Sequence, residues 1–168
     1  MDAQDLLEAT LDIERHVDGD GWDQPALLFA LVDTVRLRAE QPELAAQLGV
    51  LEGGPVLTSF EQEPPPADED LDAFLARIEW PDQVVGAVVV VERIVLPPEA
   101  EAAIGQRPDA AQLAREHPQA RDMRIVAAVD RAGLAMCALR VRGHGDHEVL
   151  TGADLVPGLT EALAATFR

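Results

Sequence analysis

The sequence contains no lysine, no tyrosine and a single cysteine. One cysteine excludes an intramolecular disulfide, and Cys137 stands in an apolar run without a neighbouring base, so we interpret it as a buried structural thiol. The longest uncharged apolar run, residues 84–91, is far too short to span a bilayer, and no membrane partner is expected. The first residues lack the basic and apolar regions of a signal peptide, which predicts a cytoplasmic protein.

Positive charge is scarce and is supplied only by arginine. The chain has 31 acidic residues against 13 arginines, for a formal net charge of −18. Residues 1–84 carry 20 acids and four arginines, whereas residues 85–168 carry 11 acids and nine arginines. Such a surface repels phosphate backbones, so nucleic acid is excluded as an expected partner. Where arginines cluster, they do so against the trend of the whole chain.

The length and apolar content indicate one folded domain over residues 1–168. Hydrophobic residues make up 48% of the chain, enough for a core that needs no disulfide or metal, and no cofactor is expected. Apolar periodicity and turn residues predict an α+β fold with a mixed or mainly antiparallel sheet of four to five strands and helices packed on it. The predicted strands are 26–32, 56–60, 84–96, 123–130 and 134–142, and the predicted helices are 2–17, 42–48, 68–78, 109–116 and 154–167.

The run 84–96 is apolar on both alternating faces, which is typical of a strand covered on both sides. We therefore expect Val88, Val90 and Ile94 to lie in the core. The two tryptophans, Trp22 and Trp80, stand at corners between elements and are expected to be structural.

Three arginines form the first candidate site. If the hairpin turns at residues 131–133, Arg124 lies opposite or near Arg140 on one face, and Arg142 follows two residues on. Like charges across a ladder require compensation. Within the protein, the compensating charge can come from a carboxylate such as Glu92 or from one on a covering helix. From outside, it can come from an anionic ligand or an acidic partner peptide.

Two loops suggest metal ligands, each with a simpler interpretation. His144, Asp146 and His147 are ligand types for zinc, but no second pair completes a site, and a connecting loop running to Glu148 fits as well. Asp18, Asp20 and Asp23 alternate as in a calcium loop, yet the twelfth position holds Phe29 instead of Glu. A loop in which Trp22 closes one edge of the core is the simpler interpretation.

No nucleophile elbow, zinc-protease motif, phosphate loop or dinucleotide fingerprint occurs. Three groups of segments together resemble a family of cytoplasmic proteins of high-GC actinobacteria that has no assigned activity. They are DIERHV (12–17) with GWDQPALLFALV (21–32), IEWP (78–81) with VERIVLPP (91–98), and CALRVR (137–142) with LVPGLTEAL (155–163). The element order has a weaker, fold-level resemblance to YbjN and type III secretion chaperone-like proteins, which implies acidic dimers that bind other proteins.

Two functional hypotheses follow. The first is a non-enzymatic protein-binding, adaptor or chaperone-like protein that forms a homodimer. The alternative is a small-ligand- or metal-dependent enzyme that uses Arg124, Arg140 and Arg142 or the loop from His144 to Glu148.

Overall fold

The structure is a computed structural model that describes residues 1–50, 52–143 and 149–168. In chain order its helices and strands are α1 (Ala3–Asp18), β1 (Leu27–Asp33), α2 (Thr34–Glu40), α3 (Pro42–Gln47), β2 (Leu57–Glu61), α4 (Leu71–Leu75), β3 (Val84–Val95), α5 (Pro98–Ile104), α6 (Ala110–Glu116), β4 (Arg121–Asp130), β5 (Ala135–Val141), β6 (Val149–Gly152) and α7 (Pro157–Ala164). A single 3-10 turn, Ala165–Phe167, follows α7.

The strands form one sheet in the order β2-β1-β3-β4-β5-β6, and every neighbouring pair is antiparallel. The predicted α+β class with an antiparallel sheet is confirmed, but the predicted count of four to five strands is wrong because the described residues form a sheet of six. The missed strand, β6, has only four residues and pairs with β5. Its four residues, VLTG, do not alternate between apolar and polar, so they show no strand pattern.

Strand β3 is central and is buried on both faces, as predicted. It lies between β1 and β4, and its close fit is visible at Gly86, where a Cβ atom would stand 2.8 Å from the carbonyl oxygen of Val129. Val88 and Val90 are buried in the core. The same expectation is wrong for Ile94, which is 36% exposed because the end of β3 runs beyond the apolar clusters that cover its middle.

Helix α1 covers one face of the sheet. Asp2 begins it with a capping box in which its side chain accepts from the Asp5 amide, and that of Asp5 accepts from the Asp2 amide. Apolar residues at helical spacing then lie almost fully buried, among them Leu6, Ile13 and Val17. Each such side chain stabilises the fold by about 1.5–3 kcal/mol.

Helices α4 and α7 cover the opposite face. Leu159 and Leu163 of α7 pack there against valines of β3 and β4. Trp80 closes one end of this layer: its indole donates to the Thr166 hydroxyl at 2.8 Å and stacks on Phe167 with ring centroids 5.9 Å apart. The predicted structural role of Trp80 is confirmed.

Two short helices were not expected, and one predicted helix is much shorter than its pattern. Helix α2 begins where the Asp33 side chain accepts from the Arg36 amide, and α5 begins at Pro98. The predicted helix 68–78 is reduced to Leu71–Leu75. Within the described part of the chain, no helix has both the length and the apolar character that a membrane crossing requires.

Candidate functional site

A row of charged residues crosses three strands on the face covered by α1. The register places Glu92 of β3 beside Arg124 of β4, and Arg124 beside Arg140 of β5. The predicted juxtaposition of Arg124 and Arg140 is therefore confirmed. Arg124 is fully buried and Arg140 is 7% exposed, so both guanidinium groups lie out of bulk solvent. Two buried cations side by side require nearby negative charge.

Helix α1 supplies the carboxylate for Arg140. Glu14, only 1% exposed, accepts from both Nε and Nη2 of Arg140, the second at 3.0 Å. This forked geometry is the strongest form of an arginine–carboxylate pair. The contact joins α1 to β5 through the buried layer, and it positions the helix on the sheet.

Asp18, at the end of α1, serves both arginines. Its Oδ1 accepts from Nη1 of Arg124 at 2.8 Å and lies 3.5 Å from Nε of Arg140. Glu92 lies 3.6 Å from Nη2 of Arg124. Of the two predicted sources of compensating negative charge, the structure therefore supplies the carboxylates. One is Glu92 on the sheet, and the others lie on the covering helix α1. Nε of Arg124 is buried and makes no hydrogen bond to any described residue.

The loop after α1 is fastened to the same cluster. The guanidinium carbon of Arg124 lies over the indole ring of Trp22, 4.4 Å from the ring centroid. The guanidinium carbon of Arg142 lies 5.6 Å from the same centroid. Glu92 accepts from the backbone amides of Asp23 and Gln24 at 2.8 and 3.2 Å. Stacking between cations and the indole stabilises the loop and gives Trp22 the predicted structural role.

Arg142 is the half-exposed member of the three predicted arginines. Its Nη1 and Nη2 donate to the two oxygens of Asp23 at 3.0 and 3.2 Å, and Nη1 also donates to Asp122 at 3.2 Å. The hydrogen bond to Asp23 is the main reason why the pKa of Arg142 is raised above its ordinary value. The guanidinium is therefore a fixed positive charge on the surface.

Beyond Arg142 opens a cleft of about 690 Å³. Three arginines bring positive charge to it, with Asp23 and Asp122 as the acidic members. Its lining comprises Asp23, Ile94, Arg115, His117, Ala120, Arg121, Asp122 and Arg142. Arg115 and Arg121 are exposed, and neither forms an ion pair with a carboxylate in the described ranges. Among the described residues, the guanidinium of Arg121 donates to the adjacent carbonyl of Ala120, at 2.9 Å.

Sequence reasoning found Arg142 but missed Arg115, His117 and Arg121. The only signal for them was the relative excess of arginine in residues 85–168. Spacing could not show that the end of α6 lies beside the loop from α1, because that proximity is set by tertiary packing.

The predicted metal ligands His144, Asp146 and His147 lie outside the described residues. Across the residues that are described, no group of three or more metal-ligating side chains comes together. Asp18 and Asp23, considered above as calcium ligands, are paired with arginines. Cys137 is fully buried, and burial raises the pKa of its thiol, so the neutral form is favoured at ordinary pH.

Comparisons with known proteins identify the family of this chain. No curated protein and no solved structure matches it. A family model described as PPA1309-like protein matches residues 6–168. Because that match spans nearly the whole chain, the protein belongs to the PPA1309-like family.

Proposed function

We propose that this is a non-enzymatic binding protein that holds an acidic segment of a partner protein in the cleft beside Arg142. One observation carries the proposal: Arg115 and Arg121 face the cleft without a carboxylate partner among the described residues. Five of the 13 arginines form no ion pair with a carboxylate among the described residues, and two of these five, Arg115 and Arg121, line the same cleft. Planar guanidinium groups suit the forked binding of carboxylates.

The shape and charge of the cleft fit a peptide segment. It is an open depression instead of an enclosed chamber, and its three arginines exceed its two aspartates by one positive charge. The surrounding acidic surface repels long polyanions, while a short acidic segment can reach the arginines alone. Binding of this kind is weakened by salt, because the charges involved are exposed.

The enzyme hypothesis is the weaker one. Two of the three arginines on which its small-ligand form depends, Arg124 and Arg140, are engaged by carboxylates and closed off from solvent, and only Arg142 is exposed. The metal-dependent form depends on His144, Asp146 and His147, and it stays a prediction.

Fluorescence anisotropy with a labelled peptide of alternating glutamate and glycine tests the proposal. We expect salt-sensitive binding to the wild-type protein, and a loss of about tenfold or more in affinity for Arg115→Gln/Arg121→Gln, since two charge-assisted contacts are removed. The matched control is Arg36→Gln/Arg77→Gln, which changes net charge equally at arginines paired with Glu40 and Glu69.

Three results would contradict the proposal. They are no binding, equal weakening in both double variants, or equal affinity for a glutamine–glycine peptide. If inorganic phosphate displaces the acidic peptide at matched ionic strength with higher affinity, the small-ligand hypothesis replaces it.

Other expectations from the sequence also stay predictions. They are the homodimer, the cytoplasmic location, the lack of nucleic-acid binding, the actinobacterial origin and the chaperone-like resemblance to YbjN. Retention on heparin that decreases with salt would contradict the exclusion of nucleic acid.

A further inference from the structure

The outer side of strand β2 is an open sheet edge. Strand β2 is the first strand in the sheet order, and β1 is its only partner in the described chain. The amide of Gln62 donates to Leu28 at 2.7 Å, and that of Thr34 donates to Val56 at 2.9 Å. Main-chain groups alternate in direction along a strand, so the even-numbered residues bond to β1.

The odd-numbered residues therefore direct their main chains away from the sheet. Leu57, Ser59 and Glu61 each present an N–H and a C=O outward, and none of these groups has a recorded partner within the described ranges. Such a row of groups is a template for another strand.

We propose that a second copy of this chain adds to this edge, so that the two β2 strands run antiparallel about a two-fold axis at Ser59. Ser59 then pairs with Ser59 of the second copy. Leu57 of each copy pairs with Glu61 of the other. The two sheets become one continuous sheet. This inference is independent of the proposed cleft function, because the edge and the cleft share no residue.

The register follows from the residues at the edge. Centred on Ser59, all three outward residues of each strand pair with one another, and every pair exchanges two main-chain hydrogen bonds. Centred on Leu57, the arrangement brings Pro55, which has no N–H, opposite Ser59. Centred on Glu61, it places two carboxylates directly opposite each other, which is destabilising.

The length of the strand favours a second copy as the occupant, and the placement of its one charge permits it. In the Ser59-centred register, the two Glu61 residues are four residue steps apart, about 13 Å, which exceeds the Debye length of about 8 Å at physiological salt. Pro55 and Pro64 lie just outside the two ends of the strand, so pairing stops after five residues on either copy. The strand is thus complementary to itself in length and hydrogen bonding, and it places no like charges directly opposite each other.

Light scattering after size-exclusion chromatography, from micromolar to millimolar protein, tests for the dimer. Ser59→Pro removes the two central N–H donors but none of those directed at β1, so we expect a dissociation constant raised by about tenfold or more with the monomer fold retained. Ser59→Thr keeps the donors and is the control. Circular dichroism shows whether each variant is folded. A wild-type monomer at every concentration, or a dimer unaffected by Ser59→Pro, overturns the proposal.

Opposite charges at position 59 test the register itself. Ser59→Glu and Ser59→Lys each place like charges opposite one another on the axis, so each variant alone is expected to be monomeric. An equimolar mixture is expected to restore a dimer containing one of each, visible by native mass spectrometry. Dimers of either variant alone at wild-type strength, or no mixed dimer when the wild type dimerises, overturns the assigned register.

Discussion

At the scale of single residues, Glu14 and Arg140 show how a buried ion pair can fix the position of a helix on a sheet. Leu6, Ile13 and Val17 of α1 provide the apolar contact, but apolar contact alone does not fix where the helix lies along the sheet. The forked pair between Glu14 and Arg140 ties one turn of α1 to one position on β5. Its net effect on stability is smaller than its geometry suggests, because both charges leave water.

Removing one charge of this pair is expected to be costly. Glu14→Gln keeps the shape of the side chain but leaves Arg140 to share Asp18 with Arg124, so the free energy of unfolding should fall by about 3 kcal/mol. Asp12→Asn makes the same chemical change in the same helix at an exposed pair with Arg15, and it should cost less than about 0.5 kcal/mol. Urea denaturation measures both. Equal small losses would contradict the role assigned to Glu14.

At the scale of elements, the features predicted correctly from the sequence are those that depend on a local pattern of residues. The double-faced apolar run of β3, the hairpin of β4 and β5, and the resulting contact between Arg124 and Arg140 all follow from alternation and turn chemistry. Strand β6 and helices α2 and α5, each of four to seven residues, were missed, whereas the equally short α3 and α6 were predicted, so periodicity does not identify segments of this length consistently. The cleft was missed because Arg115 and Arg142 come together only through tertiary packing.

The central position of β3 has a consequence at Gly86. Gly86→Ala places a methyl group 2.8 Å from the carbonyl oxygen of Val129, so the strands must shift, and we expect a loss of about 1–3 kcal/mol. Gly158→Ala is the matched control. A Cβ there meets nothing within 4 Å in the first turn of α7, and the substitution should be neutral or stabilising by up to about 1 kcal/mol. Thermal denaturation of the two variants checks the contrast, and a Gly86→Ala variant as stable as wild type would contradict the tight fit.

At the scale of the whole molecule, the charge is unevenly distributed along the chain, and most of the excess lies in residues 1–84. The buried arginines neutralise Glu14 and Asp18 of that half, but many of its other acids are exposed and form no ion pair among the described residues, for example Glu63, Asp68 and Glu79. Such carboxylates repel one another in the compact state more than in the unfolded chain.

The melting midpoint of the protein should therefore rise with sodium chloride between low and physiological ionic strength, because screening weakens this repulsion while the buried pairs are little affected. Neutralising three exposed acids, as in Glu63→Gln/Asp68→Asn/Glu79→Gln, should raise the midpoint at low salt and flatten its dependence on salt. Scanning calorimetry at a fixed pH measures both proteins. A midpoint that falls with added sodium chloride would mean that attractive surface pairs outweigh the excess of negative charge, and the charge argument for the whole molecule would then be wrong.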